Sequence, residues 1–73
     1  MNKADHYSAL GVLPSAGDVV ISAAYKVLAS KYHPDKFQGN TEYSHKRMSE
    51  INEAYRVLRD RESRNQYDRD RLK

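Results

Sequence analysis

The chain contains no cysteine, so neither a disulfide nor a thiolate–metal site can staple it. That suits a reducing compartment. No apolar run approaches the ~18 residues that point to a membrane-spanning helix. The opening residues, Met1-Asn2-Lys3-Ala4-Asp5-His6, lack the apolar stretch of a signal peptide. With neither signal nor span, a cytoplasmic location is expected. Internal repeats, low-complexity segments and a period-2 strand pattern of useful length are also missing. At 73 residues there is room for one small domain spanning 1–73, with a core region of about 5–68 and a charged tail of 69–73. Such a domain is expected to have a net stability of only about 3–5 kcal/mol and no large pocket. His6, His33 and His45 do not stand at metal-ligand spacing, so no metal or other cofactor is expected. No nucleophile or Gly-rich oxyanion loop accompanies a His–Asp pair, so the chain is not read as an enzyme.

What is present is charge and helical periodicity. Lys plus Arg number 13 against 10 Asp plus Glu, a net +3. That excess permits an acidic protein partner or a weak nucleic-acid contact. A small basic helical module binding nucleic acid is therefore the alternative function. The acids interspersed in Arg59-Asp60-Arg61-Glu62 and Arg69-Asp70-Arg71 spoil a single basic stripe.

Asp5 caps a short helix bearing Tyr7 and Leu10, and Gly11 stops it. Ser15 and Asp18 read as a variant capping box for a helix over about 16–32. Its apolar positions Ile21, Ala24, Tyr25, Leu28 and Tyr32 recur at i, i+3, i+4, i+7. Tyr25 lies off the centre of that stripe and is expected to be partly exposed. The β-branched run Val19-Val20-Ile21 raises the question of a strand, but helical spacing continues for three turns beyond it. Pro34 disfavours helix at His33 and fixes its own φ, which ends the helix near Tyr32. Residues 33–40 form a loop. A second helix, capped by Asn40 or Thr41, carries Met48, Ile51, Ala54, Tyr55 and Leu58 inward, with Lys46, Arg47, Glu50, Glu53 and Arg56 outward. A short polar connection between two long amphipathic helices implies an antiparallel hairpin. Asp60 caps a last helix with Arg64 and Tyr67, and Arg64 is expected to lock that helix to the hairpin. The residues from Asp68 onward either fray or continue as exposed helix. The tyrosines read as core and core-edge packing.

His33 and Asp35, flanking Pro34 at the bend, are two titratable groups on a rigid turn; by spacing alone a merely solvated turn reads equally well. The surrounding pattern adds to this. Asp5-His6-Tyr7-Ser8-Ala9-Leu10-Gly11-Val12, Ala24-Tyr25-Lys26, Lys31-Tyr32-His33-Pro34-Asp35-Lys36, Ile51-Asn52-Glu53-Ala54-Tyr55-Arg56-Val57-Leu58, and Arg64 with Tyr67-Asp68 together resemble the J-domain of DnaJ-type co-chaperones. The resemblance runs from about residue 5 to 68. It implies an all-α, four-helix fold with the His-Pro-Asp loop at the end of a long antiparallel hairpin. It also implies a partner, a DnaK-type heat-shock 70 chaperone in its ATP state, whose hydrolysis the domain stimulates as a monomer. On that pattern Asp35 meets an arginine of the chaperone, His33 shapes the loop, and Pro34 stiffens it. Tyr25, Lys26, Lys31 and Lys36 complete the partner-binding set.

The chain departs from the pattern in several places. Ser22, Ala23 and Val27 stand where the family often has Lys or Arg, leaving Lys26 and Lys31 as the basic residues of that helix. Met48 replaces a common aromatic, and Ser63 a usual lysine. No Gly/Phe-rich linker, zinc-binding region or substrate-binding domain follows in the sequence. The expectation is a cut-out domain or a short J-protein, and a non-stimulating J-like scaffold is disfavoured by the intact tripeptide.

Overall fold

The computed structural model describes residues 5–33, 39 and 41–71. Four helices result: α1 (His6–Leu10), α2 (Asp18–Lys31), α3 (Thr41–Leu58) and α4 (Arg61–Arg71). The all-α expectation holds, with no strand among the described residues.

α1 is short and is held by its ends. Asp5 and Ser8 form a reciprocal capping box: the Ser8 N–H donates to Asp5 Oδ1 at 2.8 Å, and the Asp5 N–H donates to Ser8 Oγ at 2.9 Å. At the other end Gly11 takes the left-handed conformation, φ 68°, which costs a glycine nothing. The Gly11 and Val12 N–H groups then donate back to Ser8 and Tyr7, the paired bonds of a Schellman stop.

The start of α2 corrects the sequence reading. The helix begins at Asp18 with Gly17 as N-cap and no side-chain capping bond, so Ser15 is not the cap. The Ala16 N–H donates to the Leu13 carbonyl at 2.9 Å, closing a turn around Pro14 and Ser15. Pro14 suits the second position of such a turn, and this places Ser15 upstream of the helix. Val19-Val20-Ile21 is helical, since only helical spacing puts Ile21 into the core, where it is fully buried. α2 ends at Lys31; the Tyr32 N–H makes the last bond, to Leu28.

α3 is the central element and packs against the other three helices. The core joins Tyr7 and Leu10 of α1, Ile21 of α2 and the cap residue Tyr32 to Ile51, Ala54 and Leu58 of α3. Burying each large aliphatic side chain is worth about 1.5–3 kcal/mol. Leu28 is only partly buried and packs at the edge of this cluster. The α2–α3 contacts reverse along the chain: Tyr25 meets Tyr55, and Tyr32, one helix-end later, meets Tyr43. The pair is therefore the expected antiparallel hairpin.

α4 buries no residue completely and docks through polar bonds instead. Asp60 caps it by accepting from the Ser63 N–H at 2.9 Å. The Tyr7 hydroxyl donates to Asp68 at 2.6 Å, and the His6 N–H donates to the Tyr67 hydroxyl at 2.9 Å. Arg64 does not lock α4 to the hairpin as expected. Its guanidinium donates to the Pro14 carbonyl at 3.1 Å, the Ala16 carbonyl at 2.6 Å and the Tyr7 hydroxyl at 3.1 Å. It thus ties α4 to α1 and the α1–α2 connector, and only a 3.5 Å contact with Asp18 touches α2. The helix continues to Arg71, which pairs with Asp5 at 2.8 Å and lies over the Tyr7 ring.

Candidate functional site

The candidate site is the outer face of α2 and the end of the hairpin beyond it. Tyr25 is half-buried, as expected from its offset position. Its ring stacks on Tyr55 with centroids 4.1 Å apart, and its hydroxyl donates to Asn52 Oδ1 at 3.0 Å. The ring is thus pinned to α3 while one edge stays open. Lys26 and Lys31 are both exposed, on turns of α2 that face solvent.

Where α2 ends, Tyr32 is buried against α3 and surrounded by cations. Lys31 Nζ lies 5.4 Å from the ring centroid and Arg47 Cζ 5.3 Å. Such stacking is worth about 0.5–2 kcal/mol depending on desolvation. Hydrogen bonding from Arg47 and from Tyr43 holds the Tyr32 hydroxyl below the usual phenol value, and Tyr43 moves up in consequence. This aromatic–cationic cluster fixes the direction in which the chain leaves α2. His33 follows directly and is exposed. Of the remaining candidate residues, Pro34, Asp35 and Lys36 lie outside the described residues, so the tripeptide is assembled here only as far as His33.

Two features of this region were not read from the sequence. Arg47 was expected to point outward, yet it donates to the Ala9 carbonyl of α1 at 3.2 Å, to Glu50 at 2.9 Å, and covers Tyr32. One side chain thereby links α1, α3 and the end of α2. No local pattern around residue 47 signals a backbone acceptor 38 positions away. The second feature is apolar. Val19 and Val20 are exposed on α2 together with Val27, where the departures from basic residues had been noted at Ser22, Ala23 and Val27.

Between α1 and α3 runs an open cleft of about 560 Å³, bordered by His6, Arg47, Glu50 and Glu53 among others. No group of three or more His, Cys, Asp or Glu side chains that could hold a metal ion occurs among the described residues. None of the described helices is long and apolar enough to cross a membrane.

Comparison with known proteins bears on the same stretch. Residues 5–68 match the family model described as the DnaJ domain. The chain is 53% identical over 68 residues to the Chaperone protein DnaJ of Clostridium tetani (strain Massachusetts / E88). It is 50% identical over 68 residues to that of Clostridium botulinum (strain Eklund 17B / Type B). Against that of Xanthobacter autotrophicus it is 48% identical over 69 residues. These alignments cover 93–94% of this chain but 18% of each relative. The chain therefore spans less than a fifth of the length of the relatives it matches.

Proposed function

Because the chain belongs to the DnaJ-domain family, we propose that it is a single co-chaperone domain that engages a DnaK-type heat-shock 70 chaperone and stimulates its ATP hydrolysis. The observation that carries this reading is the His33-Pro34-Asp35 tripeptide, intact in the sequence immediately after the Tyr32 cap of an antiparallel hairpin. The domain performs no chemistry of its own. It supplies a carboxylate, Asp35, to an arginine of the chaperone's ATP-bound state. That contact is a charge-assisted hydrogen bond, among the stronger kinds.

The other roles follow from position. Pro34 limits the loop's freedom, and His33 adds hydrogen-bonding capacity beside the carboxylate. Tyr25 offers a ring edge held in place by Tyr55, so little side-chain entropy is lost on contact. Lys26, Lys31 and Lys36 provide the positive charge that steers encounter with an acidic surface. The binding is expected in a cytoplasmic setting and supports folding or delivery of client proteins.

A single-turnover ATPase assay tests this reading. Purified DnaK-type chaperones are loaded with ATP and mixed with the wild-type domain or with Asp35→Asn. Asparagine keeps the shape and removes the charge, so the expected result is loss of stimulation with an unchanged circular dichroism spectrum. His33→Gln should behave similarly. Full stimulation by a folded Asp35→Asn protein would refute the trigger role.

A further inference from the structure

Arg47 stands near the second turn of α3, and its side chain is only 21% exposed. It reaches three elements at once. One terminal nitrogen donates to the Ala9 carbonyl of α1 at 3.2 Å, and the other to Glu50, one turn along α3, at 2.9 Å. Its Cζ lies 5.3 Å from the ring centroid of Tyr32, the residue that closes α2.

The first contact answers a need of α1. The last four carbonyls of a helix have no partner within it. In α1 the Tyr7 and Ser8 carbonyls accept from the Val12 and Gly11 N–H groups. The next carbonyl, that of Ala9, accepts from Arg47. A cation there also meets the negative end of the helix. The contact at Tyr32 answers a second need. Tyr32 is 7% exposed, and a phenol buried to that degree needs a partner for its hydroxyl. Arg47 and Tyr43 supply hydrogen bonds to it, both from the first two turns of α3. The Tyr43 ring also meets that of Tyr32 edge-on, with centroids 6.0 Å apart. Residues 33–40 join Tyr32 to Thr41 in the sequence. The helix ends on either side of that connection are thus tied together through Tyr32, Tyr43 and Arg47, and Arg47 carries the tie on to α1.

We propose that Arg47 is a positioning residue for the His33-Pro34-Asp35 trigger: it fixes the end of α2 against α1 and α3, and so sets the point from which His33 starts. It acts through Tyr32, not through a contact of its own with the chaperone. The effect on hydrolysis rests on the co-chaperone function proposed above, whereas the effect on the direction of the chain at His33 does not. A carboxylate–guanidinium bond is short and directional, so a trigger displaced by about an ångström loses much of it.

A steering charge and a positioning residue fail differently. Loss of a steering charge raises the domain concentration needed for half-maximal stimulation. Loss of a positioning residue lowers the maximal rate, because the interaction it serves is made in the reacting arrangement. Arg47→Met keeps the length of the side chain and removes its charge and donors. Arg47→Lys keeps a point charge but not the fork that spans Ala9 and Tyr32.

Both variants are titrated into an ATP-loaded DnaK-type chaperone in single-turnover assays, beside Lys26→Glu and Arg64→Ala. Each concentration is corrected to the folded fraction by circular dichroism. Arg47→Met and Arg47→Lys should lower the maximal rate several-fold at an unchanged half-saturating concentration, and Lys26→Glu should do the reverse. Arg64→Ala loosens α4 and, after correction, should keep both values at wild type, which separates positioning from a general loss of stability. The geometry is read on the domain alone. In residual dipolar couplings the His33 N–H vector should turn relative to those of α1 and α3 in Arg47→Met and keep its direction in Arg64→Ala. Should Arg47→Met fail to fold, Arg47→Lys decides by the same two readings. A His33 vector that keeps its wild-type direction in the folded Arg47 variants would overturn the proposal. So would a wild-type maximal rate in those variants, or a rate defect that Arg64→Ala shares. A wild-type domain that stimulates no chaperone would instead count against the co-chaperone reading, and the dipolar couplings would still decide the role of Arg47.

Discussion

Replacing Arg64 by alanine removes the guanidinium that holds α4 to α1 and to the connector before α2. Its side chain is 16% exposed and donates to two carbonyls and one phenol. Hydrogen bonds involving a charged group contribute about 1.5–3 kcal/mol each. The Pro14 bond is at the surface and belongs at the low end, and the freed carbonyls can be rehydrated. The exposed Asp18 contact adds little, as surface ion pairs do. A net loss of about 2–4 kcal/mol follows, against a total of about 3–5 for a domain of this size. With a urea slope near 1 kcal/mol per molar, the unfolding midpoint should fall by about 2–4 M. Arg64→Lys keeps one point charge without the fork and should recover about half of that loss. Tyr7→Phe removes one of the acceptors, so the double variant Tyr7→Phe/Arg64→Ala should lose less than the sum of its parts. The assay is urea titration followed by circular dichroism. A midpoint drop below about 0.5 M for Arg64→Ala, or strict additivity with Tyr7→Phe, would refute this account of α4 docking.

Leu58→Ala should cost about 2–5 kcal/mol in the same titration, whereas Leu28→Ala should cost less, because Leu28 sits only at the core's edge. Equal losses would mean that the two leucines are equally enclosed. Lys26→Glu should lower chaperone stimulation several-fold at low salt without changing the melting temperature. That defect should shrink as salt screens the surface, and a salt-independent defect would point to shape instead of charge. The Ser8 N–H, helped by the Ser8 hydroxyl and Arg71, holds the Asp5 carboxyl below its usual value. A depressed folded-state pKa adds stability above the unfolded value and loses it as pH falls through the folded one. The Asp5-linked loss should therefore begin below about pH 4, and Asp5→Asn, which retains a capping oxygen, should melt with a shallower acid dependence.

Local signals were enough for much of the frame. Asp5, Gly11 and Asp60 act where they stand, through backbone groups three or four residues away, so capping rules find them. Tyr32 ends α2 because Pro34 is two residues on. The failures are non-local or compete with a second turn. Ser15 has cap chemistry, but the Leu13–Ala16 turn takes it first. Arg47 has the spacing of a solvated residue, and only the arrival of α1 gives it the Ala9 carbonyl. Arg64 was singled out, yet its acceptors are carbonyls of Pro14 and Ala16, and a carbonyl has no signature in a side-chain alphabet. Of the candidate site, Tyr25 was placed correctly at the core's edge, with Lys26 and Lys31 in solvent. The apolar face beside them depends on which α2 positions remain uncovered after α1 and α3 have packed, and periodicity alone does not decide that.

The ion pair between Asp5 and Arg71 brings the first and last described helices together at their outer ends. Any polypeptide joined ahead of α1 and any joined behind α4 would leave from the same neighbourhood. A tether, a fluorophore or an immobilisation tag placed at either end should orient the domain alike. Binding measured with the protein attached through one end ought to match binding measured through the other. Joining the two ends by a short bridge would close the chain into a ring with little distortion of α1 or α4.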